Sequence, residues 1–232
     1  MKIKPKLVVL TGAGISADSG LQTFRDSNGL WEGYKIEEVA TPEAWKSNPG
    51  LVLEFYNLRR RNVLEANPNA AHKGLVELEE YFDTTIITQN IDDLHERAGS
   101  SKVVHLHGEI VKMRSEKNEH LLYPYSEDIK PGDLAEDGHQ LRPHIVWFGE
   151  AVPMMENAIA ITNKADYFVV IGTSLVVYPA AGLIHYCRPG IPVFILDKKI
   201  PETSLGNIIT IEKNAAAGIG ELKEYLLKAA NI

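Results

Sequence analysis

Short, solidly apolar runs rich in β-branched residues recur at positions 7–10, 84–88, 103–106, 145–148, 168–171, 193–196 and 208–211. Apolar runs without alternation predict parallel strands covered on both faces. Between many of them the spacing turns helical. Thr41 reads as an N-cap with Pro42 in the first turn. Residues 49–66 keep a helical spacing and stop before Asn67-Pro68, and Asn69 caps a helix that runs to about residue 82. Residues 92–98 close on Gly99, and 179–187 and 215–230 complete the helices. This alternation predicts an α/β fold: a Rossmann-like, mostly parallel sheet with helices on both faces. The stretch 112–142 breaks the rhythm, being polar with Pro131-Gly132 inside it, and reads as a small insert. The expected division is a large domain of about 1–30, 70–108 and 143–232 and a small one of about 31–69 and 109–142.

Composition narrows the function classes. The 232 residues are 44% hydrophobic and 24% charged, ordinary globular values that support a sizeable core. A net charge of −7 argues against a nucleic-acid partner. One cysteine, Cys187, excludes an internal disulfide or a cysteine-based zinc site, and it reads as a core residue of an apolar helix. The opening MKIKPKLVVLTGAG reads as a first strand rather than a signal peptide. No apolar run reaches membrane-spanning length, so the expectation is a cytoplasmic protein with no membrane partner. Nothing in the sequence indicates the oligomeric state.

Chemistry-bearing residues gather where strands end. Gly12-Ala13-Gly14-Ile15-Ser16-Ala17 directly follows the first strand and fits a dinucleotide turn, in which glycines let the backbone approach a pyrophosphate. The acidic residue expected some 20 positions on is missing, because Glu32 lies in a glycine-rich loop; an ordinary nicotinamide dehydrogenase is disfavoured. Phe24-Arg25-Asp26 in that loop reads either as surface or as a cover over a cofactor. Gln89-Asn90-Ile91-Asp92 ends a strand, where Asn and Asp serve as helix caps or as ligands of a ribose or carboxamide. His105 and His107 share one strand face, and His107, before Gly108, is the better candidate for a general base. Gly172-Thr173-Ser174 offers small residues and hydroxyls for a second phosphate or ribose, although plain turn chemistry explains it equally well.

Taken in order, "GAGIS", "SGLQTFR", "TQNIDDLHERAG", "HLHG", "RPHIVWFGE" and "GTSLVVYPAAGL" resemble the sirtuins, NAD-dependent protein-lysine deacylases, over nearly the whole chain, which then reads as a single catalytic domain. The resemblance implies that Gly12, Ala13, Gly14 and Ser16 cradle the pyrophosphate. It places Thr23, Phe24 and Arg25 in the cofactor-binding loop. Gln89, Asn90, Ile91 and Asp92 would hold the nicotinamide ribose and carboxamide, with Asn90 and Asp92 counted as catalytic beside the general base His107. Gly172, Thr173 and Ser174 would contact ribose or phosphate, Asp197 the adenosine ribose, and Ala216 would lie near the adenine. Val146, Phe148, Gly149 and Glu150 would flank the substrate peptide as an added strand. The implied reaction consumes NAD as co-substrate. The acyl oxygen attacks C1′ of the nicotinamide ribose and nicotinamide leaves. His107 then deprotonates a ribose hydroxyl, and the products are free lysine and O-acyl-ADP-ribose.

Two features depart from or refine this pattern. Sirtuins usually carry two cysteine pairs binding a structural zinc, but 109–141 has no cysteine, and His120 and His139 are too few to replace four thiolates. No zinc is expected, and the insert should hold by packing around Leu121, Leu122, Tyr123 and Tyr125. Tyr56 and Arg59 stand three apart on a helix. Arg59-Arg60-Arg61 alone reads as a solvated basic run, yet Tyr-x-x-Arg here resembles the sirtuin subclass that removes succinyl and malonyl groups. A guanidinium beside a tyrosine hydroxyl suits an acyl carboxylate, which an acetyl group lacks. The small residues Ala40 and Thr41 would leave room for a longer acyl chain. The rival readings are a sirtuin-like mono-ADP-ribosyltransferase and a non-catalytic NAD-sensing module.

Overall fold

A computed structural model describes residues 3–22, 33–201 and 208–232. Its strands are β1 (Lys6–Thr11), β2 (Asp83–Thr88), β3 (Val103–His105), β4 (Gly108–Ser115), β5 (Leu122–Pro124), β6 (Leu141–Ile145), β7 (Tyr167–Ile171), β8 (Val193–Asp197) and β9 (Ile208–Glu212). The helices are α1 (Ile36–Val39), α2 (Pro42–Ser47), α3 (Pro49–Glu65), α4 (Ala70–Leu78), α5 (Leu94–Ala98), α6 (Met155–Thr162) and α7 (Ala215–Ala229). Six strands form one sheet in the order β3-β2-β1-β7-β8-β9, every pairing parallel.

Alternation along β1 explains why its sequence is apolar throughout. Leu7 and Val9 pack on one face with Leu75 and Leu78 of α4 and Leu222 and Leu226 of α7. Val8 and Leu10 pack on the other, with Ala158 of α6 and Leu183 and Ile184 of a 3-10 helix spanning Ala180–Tyr186. Each such side chain taken from water contributes about 1.5–3 kcal/mol. Chain order reverses between β1 and β7, so their carboxyl ends border the crevice where open α/β sheets bind ligands.

Several expected elements shift. The apolar run 145–148 is not a strand of the parallel sheet. Its strand, β6, lies earlier and pairs antiparallel with β4, while 146–150 forms a turn in which Trp147 N–H and the Arg142 guanidinium both bond Glu150. The helix capped by Asn69 stops at Leu78, and α6 has no counterpart among the helices expected from sequence. The segment 179–187 winds as a 3-10 helix, and Cys187 follows it half-buried, its thiol pushed up to about 12 by burial.

The polar insert is a three-stranded antiparallel sheet, β5-β4-β6, packed on α3. Leu53, Ile129, Ala135 and Leu141 form its small core, with Leu121, Tyr123 and Tyr125 against it; Leu122, expected there, is 40% exposed. Polar contacts from α3 do the stitching. Asn57 donates to Ile129 O (2.8 Å) and accepts from Ile129 N (3.0 Å). Arg60 is only 1% exposed, which overturns the solvated reading of the arginine run. Its Nε donates to Ile110 O (2.8 Å), its Nη1 to Asn57 Oδ1 (2.8 Å) and Glu127 O (3.0 Å), and its guanidinium lies over the Tyr125 ring. Ile110 N in turn donates to Ile91 O, so one backbone position ties the insert's helix to the turn after β2. Arg61, one residue on, makes a surface ion pair with Asp128.

Removing Arg60 breaks three hydrogen bonds of a buried guanidinium, one of them to the buried Ile110 carbonyl, and such a loss costs about 3 kcal/mol. Arg60→Met should lower the urea unfolding free energy by about that amount, against less than about 1 kcal/mol for Arg61→Met. Equal losses in the two variants would show that Arg60 is not the stitch.

Candidate active site

The glycines after β1 and β7 are needed first against each other. Gly12 N donates to Ile171 O (3.0 Å) and Gly14 N to Gly172 O (2.8 Å). A Cβ on Gly14 would lie 2.6 Å from Gly172 Cα. Gly172 sits at φ +65°, and a Cβ there would approach Ile15 N to 2.4 Å. Two backbones therefore touch at the crevice with no side chain between them. With Ile15 N and Ser16 N also bonded inside the turn, Ala13 is left exposed at its tip.

The turn after β2 is clipped to this platform. Asn90 Nδ2 donates to Ser16 Oγ (3.0 Å), and Ser16 Oγ donates to Asp92 Oδ2 (3.0 Å). All three residues are buried, so the relay is a continuous hydrogen-bond chain in a low-dielectric setting. Asp92 Oδ1 also accepts from Leu94 N (3.2 Å), the first residue of α5. Burial raises its carboxyl from the usual range; the Leu94 and Ser16 bonds and the nearby His105 oppose that rise. Gln89 Nε2 donates to Thr173 Oγ1 (3.1 Å), a second clip, now to the turn after β7.

His107 lies past the end of β3 with its Nδ1 2.9 Å from Gln89 O. A carbonyl only accepts, so Nδ1 carries the proton and Nε2 keeps its lone pair. Burial lowers the ring's affinity for a proton, an effect only partly offset by the Gln89 bond. Backbone Val146 N donates to His107 O (2.9 Å), joining the 146–150 turn to the same edge. Phe148 is 44% exposed there, and Val176 and Tyr178 are 69% and 71% exposed. Glu150 is engaged by Arg142 and Trp147 N, and the Arg142 guanidinium stacks on the Trp147 ring.

Tyr56 and Arg59 share the buried face of α3. Tyr56 packs with Ile91, Ile145 and Trp147, and burial drives its phenol well above the ordinary value against the pull of Arg59 and Arg142. Arg59, with Gly20, Leu21, Gln22 and Asn62, lines a cavity of about 200 Å³. Asp197 is buried at the last position of β8 and accepts from Lys199 N (3.0 Å). Ala216, in the first turn of α7, is tied through its N–H to Asp18 Oδ2 (3.3 Å). Thr23, Phe24 and Arg25 lie outside the described residues. Sequence reasoning brought most of these residues to one edge but missed the Ser16 relay, because its members are 74 and 76 positions apart.

With this edge in view, comparison with known proteins is direct. Residues 12–179 match the Sir2 family. A protein of Bacteroides thetaiotaomicron named NAD-dependent protein deacylase is 54% identical over 230 residues, covering 96% of this chain and 98% of its own. A Helicobacter pylori (strain 26695) protein of the same name is 51% identical, covering 97% of this chain and 99% of its own. A crystal structure of a Sir2 homolog–NAD complex superposes with a TM-score of 0.86 at 37% identity, over 97% of this chain and 91% of its own. A Sir2 variant bound to a deacetylated p53 peptide and 3′-O-acetyl-ADP-ribose superposes at 0.77 and 33% identity, over 96% and 94%. The chain belongs to the Sir2 family.

Behind the site two histidines are wholly buried. His95 Nε2 meets Thr11 Oγ1 at 3.0 Å, and its ring lies edge-on to His72, centroids 5.0 Å apart. Burial lowers His72 to about 4 and His95 well below its ordinary value. The folded protein refuses protons that the unfolded chain accepts, so stability is full above the ordinary histidine value and drains away as pH falls. Unfolding free energy should drop from pH 6.5 towards 4 by about 1.4 kcal/mol per unit for each histidine. Denaturation of His72→Gln across this range should show a slope shallower by one proton; an unchanged slope would contradict the assignment.

Proposed function

We propose that this Sir2-family protein, an NAD-dependent protein deacylase, acts on lysines bearing short acidic acyl groups, succinyl and malonyl, as well as on acetyl-lysine. The observation that carries the acidic preference is Arg59: a guanidinium on the buried face of α3, beside Tyr56, lining a cavity of about 200 Å³. A planar guanidinium can take a carboxylate through two parallel charge-assisted bonds, which an acyl group ending in a methyl cannot form.

The crevice suits NAD on its own geometry. A tight glycine turn lies at the strand-order reversal, buried Asn90 and Asp92 sit at the same edge, and buried Asp197 ends β8. NAD supplies an ADP-ribosyl group whose bond to nicotinamide is broken as the acyl oxygen attaches. In this reading Gly12, Ala13 and Gly14 admit the pyrophosphate, and Gly172, Thr173 and Ser174 border its ribose side. Gln89, Asn90, Ile91 and Asp92 orient the nicotinamide ribose and carboxamide, and Ser16 holds Asn90 and Asp92 in register through the relay. Asp197 accepts from the adenosine ribose, near Ala216. Thr23, Phe24 and Arg25 cover the cofactor. His107, neutral and with Nε2 available, takes a proton from a ribose hydroxyl. Val146, Phe148, Gly149 and Glu150 line the entry of the acyl-lysine peptide, with Glu150 fixing the turn through Arg142. A location in the cytoplasm and a small domain held without zinc belong to the same reading.

Nicotinamide release with NAD and matched acetyl- and succinyl-lysine peptides tests both levels. His107→Ala should cut deacylation by about 100-fold or more; near-full activity would remove His107 from the chemistry. Arg59→Met should lower kcat/KM for the succinyl peptide about tenfold or more while changing the acetyl value little. Equal losses would discard the acidic-acyl preference and leave the deacylase standing.

A further inference from the structure

His105 and His107 stand two apart and hold consecutive carbonyls of one turn. His107 Nδ1 meets Gln89 O at 2.9 Å and His105 Nδ1 meets Asn90 O at 3.2 Å. Their second nitrogens differ. Among the described residues His107 meets one acceptor, the Gln89 carbonyl, whereas His105 Nε2 also lies 2.8 Å from Glu96 Oε1 on α5. A carbonyl and a carboxylate both only accept, so His105 satisfies both by carrying two protons. Two identical side chains on one strand end are thereby set to opposite states, a fixed cation and a neutral base.

We propose that His105, held as a cation between the Asn90 carbonyl and Glu96, is a positioning residue for the nicotinamide end of NAD. It rests on the reading of Gln89–Asp92 as that subsite. It acts through two partners. Its Nδ1–H fixes the Asn90 backbone, and its charge favours the ionised form of buried Asp92. The groups facing it are the carboxylates of Glu96, Glu109 and Asp92 and the neutral ring of His95; Glu109 in turn accepts from Lys112 (2.7 Å). Glu96 and Glu109 support the charge, and the Asn90 bond adds to them; together they outweigh the burial of the ring. His105 touches no reacting atom. It keeps an acceptor ready at Asp92 while His107, bonded to the neighbouring carbonyl, handles the later proton.

The test is exchange of isotope-labelled nicotinamide into NAD in the presence of an acyl-lysine peptide, a readout of the first step, followed from neutral to alkaline pH. Wild type should hold its rate through neutral pH and fall on the alkaline side as His105 loses its proton. Glu96→Gln, at a half-exposed position that should not disturb folding, should move that fall down by about one pH unit. His105→Gln should lose the alkaline fall, with exchange lower by about tenfold and a raised KM for NAD. Wild-type profiles and rates in Glu96→Gln overturn the proposal, whether or not His105→Gln folds. Exchange absent in wild type overturns the deacylase reading with it, whereas exchange present and unchanged by the variants overturns only the role of His105.

Discussion

Backbone meets backbone where the turn after β1 lies on the turn after β7, and the rest of the site hangs from that contact. Gly14 and Gly172 approach so closely that one added Cβ would enter the other loop. The parallel register of β1 and β7, Thr11 beside Ile171, brings both turns out at the same height. From this platform Ser16 reaches the turn after β2 and Thr173 receives Gln89, so three loops from three strands become one surface. Dinucleotide turns are usually explained by the room glycine leaves for phosphate. Here the same residues are needed first to let two loops touch.

Electrostatics then divides the labour. The crevice edge carries a buried acid, a neutral histidine and a cationic histidine within one short turn and the strand beside it. Each state follows from partner type: hydroxyl and amide donors for Asp92, one carbonyl for His107, a carbonyl and a carboxylate for His105. Burial favours the neutral state of His107 but opposes the charge on His105 and on Asp92, so those charges rest on their partners. Behind them His72 and His95 remain neutral because burial lowers both, and the neighbouring histidines lower His95 further.

Much of the fold is legible in the sequence because central parallel strands are apolar on both faces and leave unbroken runs. β1, β2, β7, β8 and β9 lie where those runs stand. The insert was illegible as a sheet because β5 is three residues long and half-exposed and because β4 mixes buried with half-buried positions. Arg60 was misread for a different reason. Three consecutive arginines suggest solvent, but a helix separates them by about 100° each, and the stripe through Val52, Tyr56 and Val63 passes through Arg60. That stripe was the available signal. The Ser16–Asn90–Asp92 relay had none, since a serine in a glycine turn does not announce a partner more than 70 residues away.

The central claim is that this edge transfers an ADP-ribosyl group to an acyl oxygen and returns a free lysine. Mass spectrometry of a completed reaction between an acyl-lysine peptide and NAD tests it most directly. The account predicts nicotinamide, deacylated peptide and O-acyl-ADP-ribose in equal amounts. ADP-ribose attached to the peptide or to the protein, with the acyl-lysine intact, would contradict it.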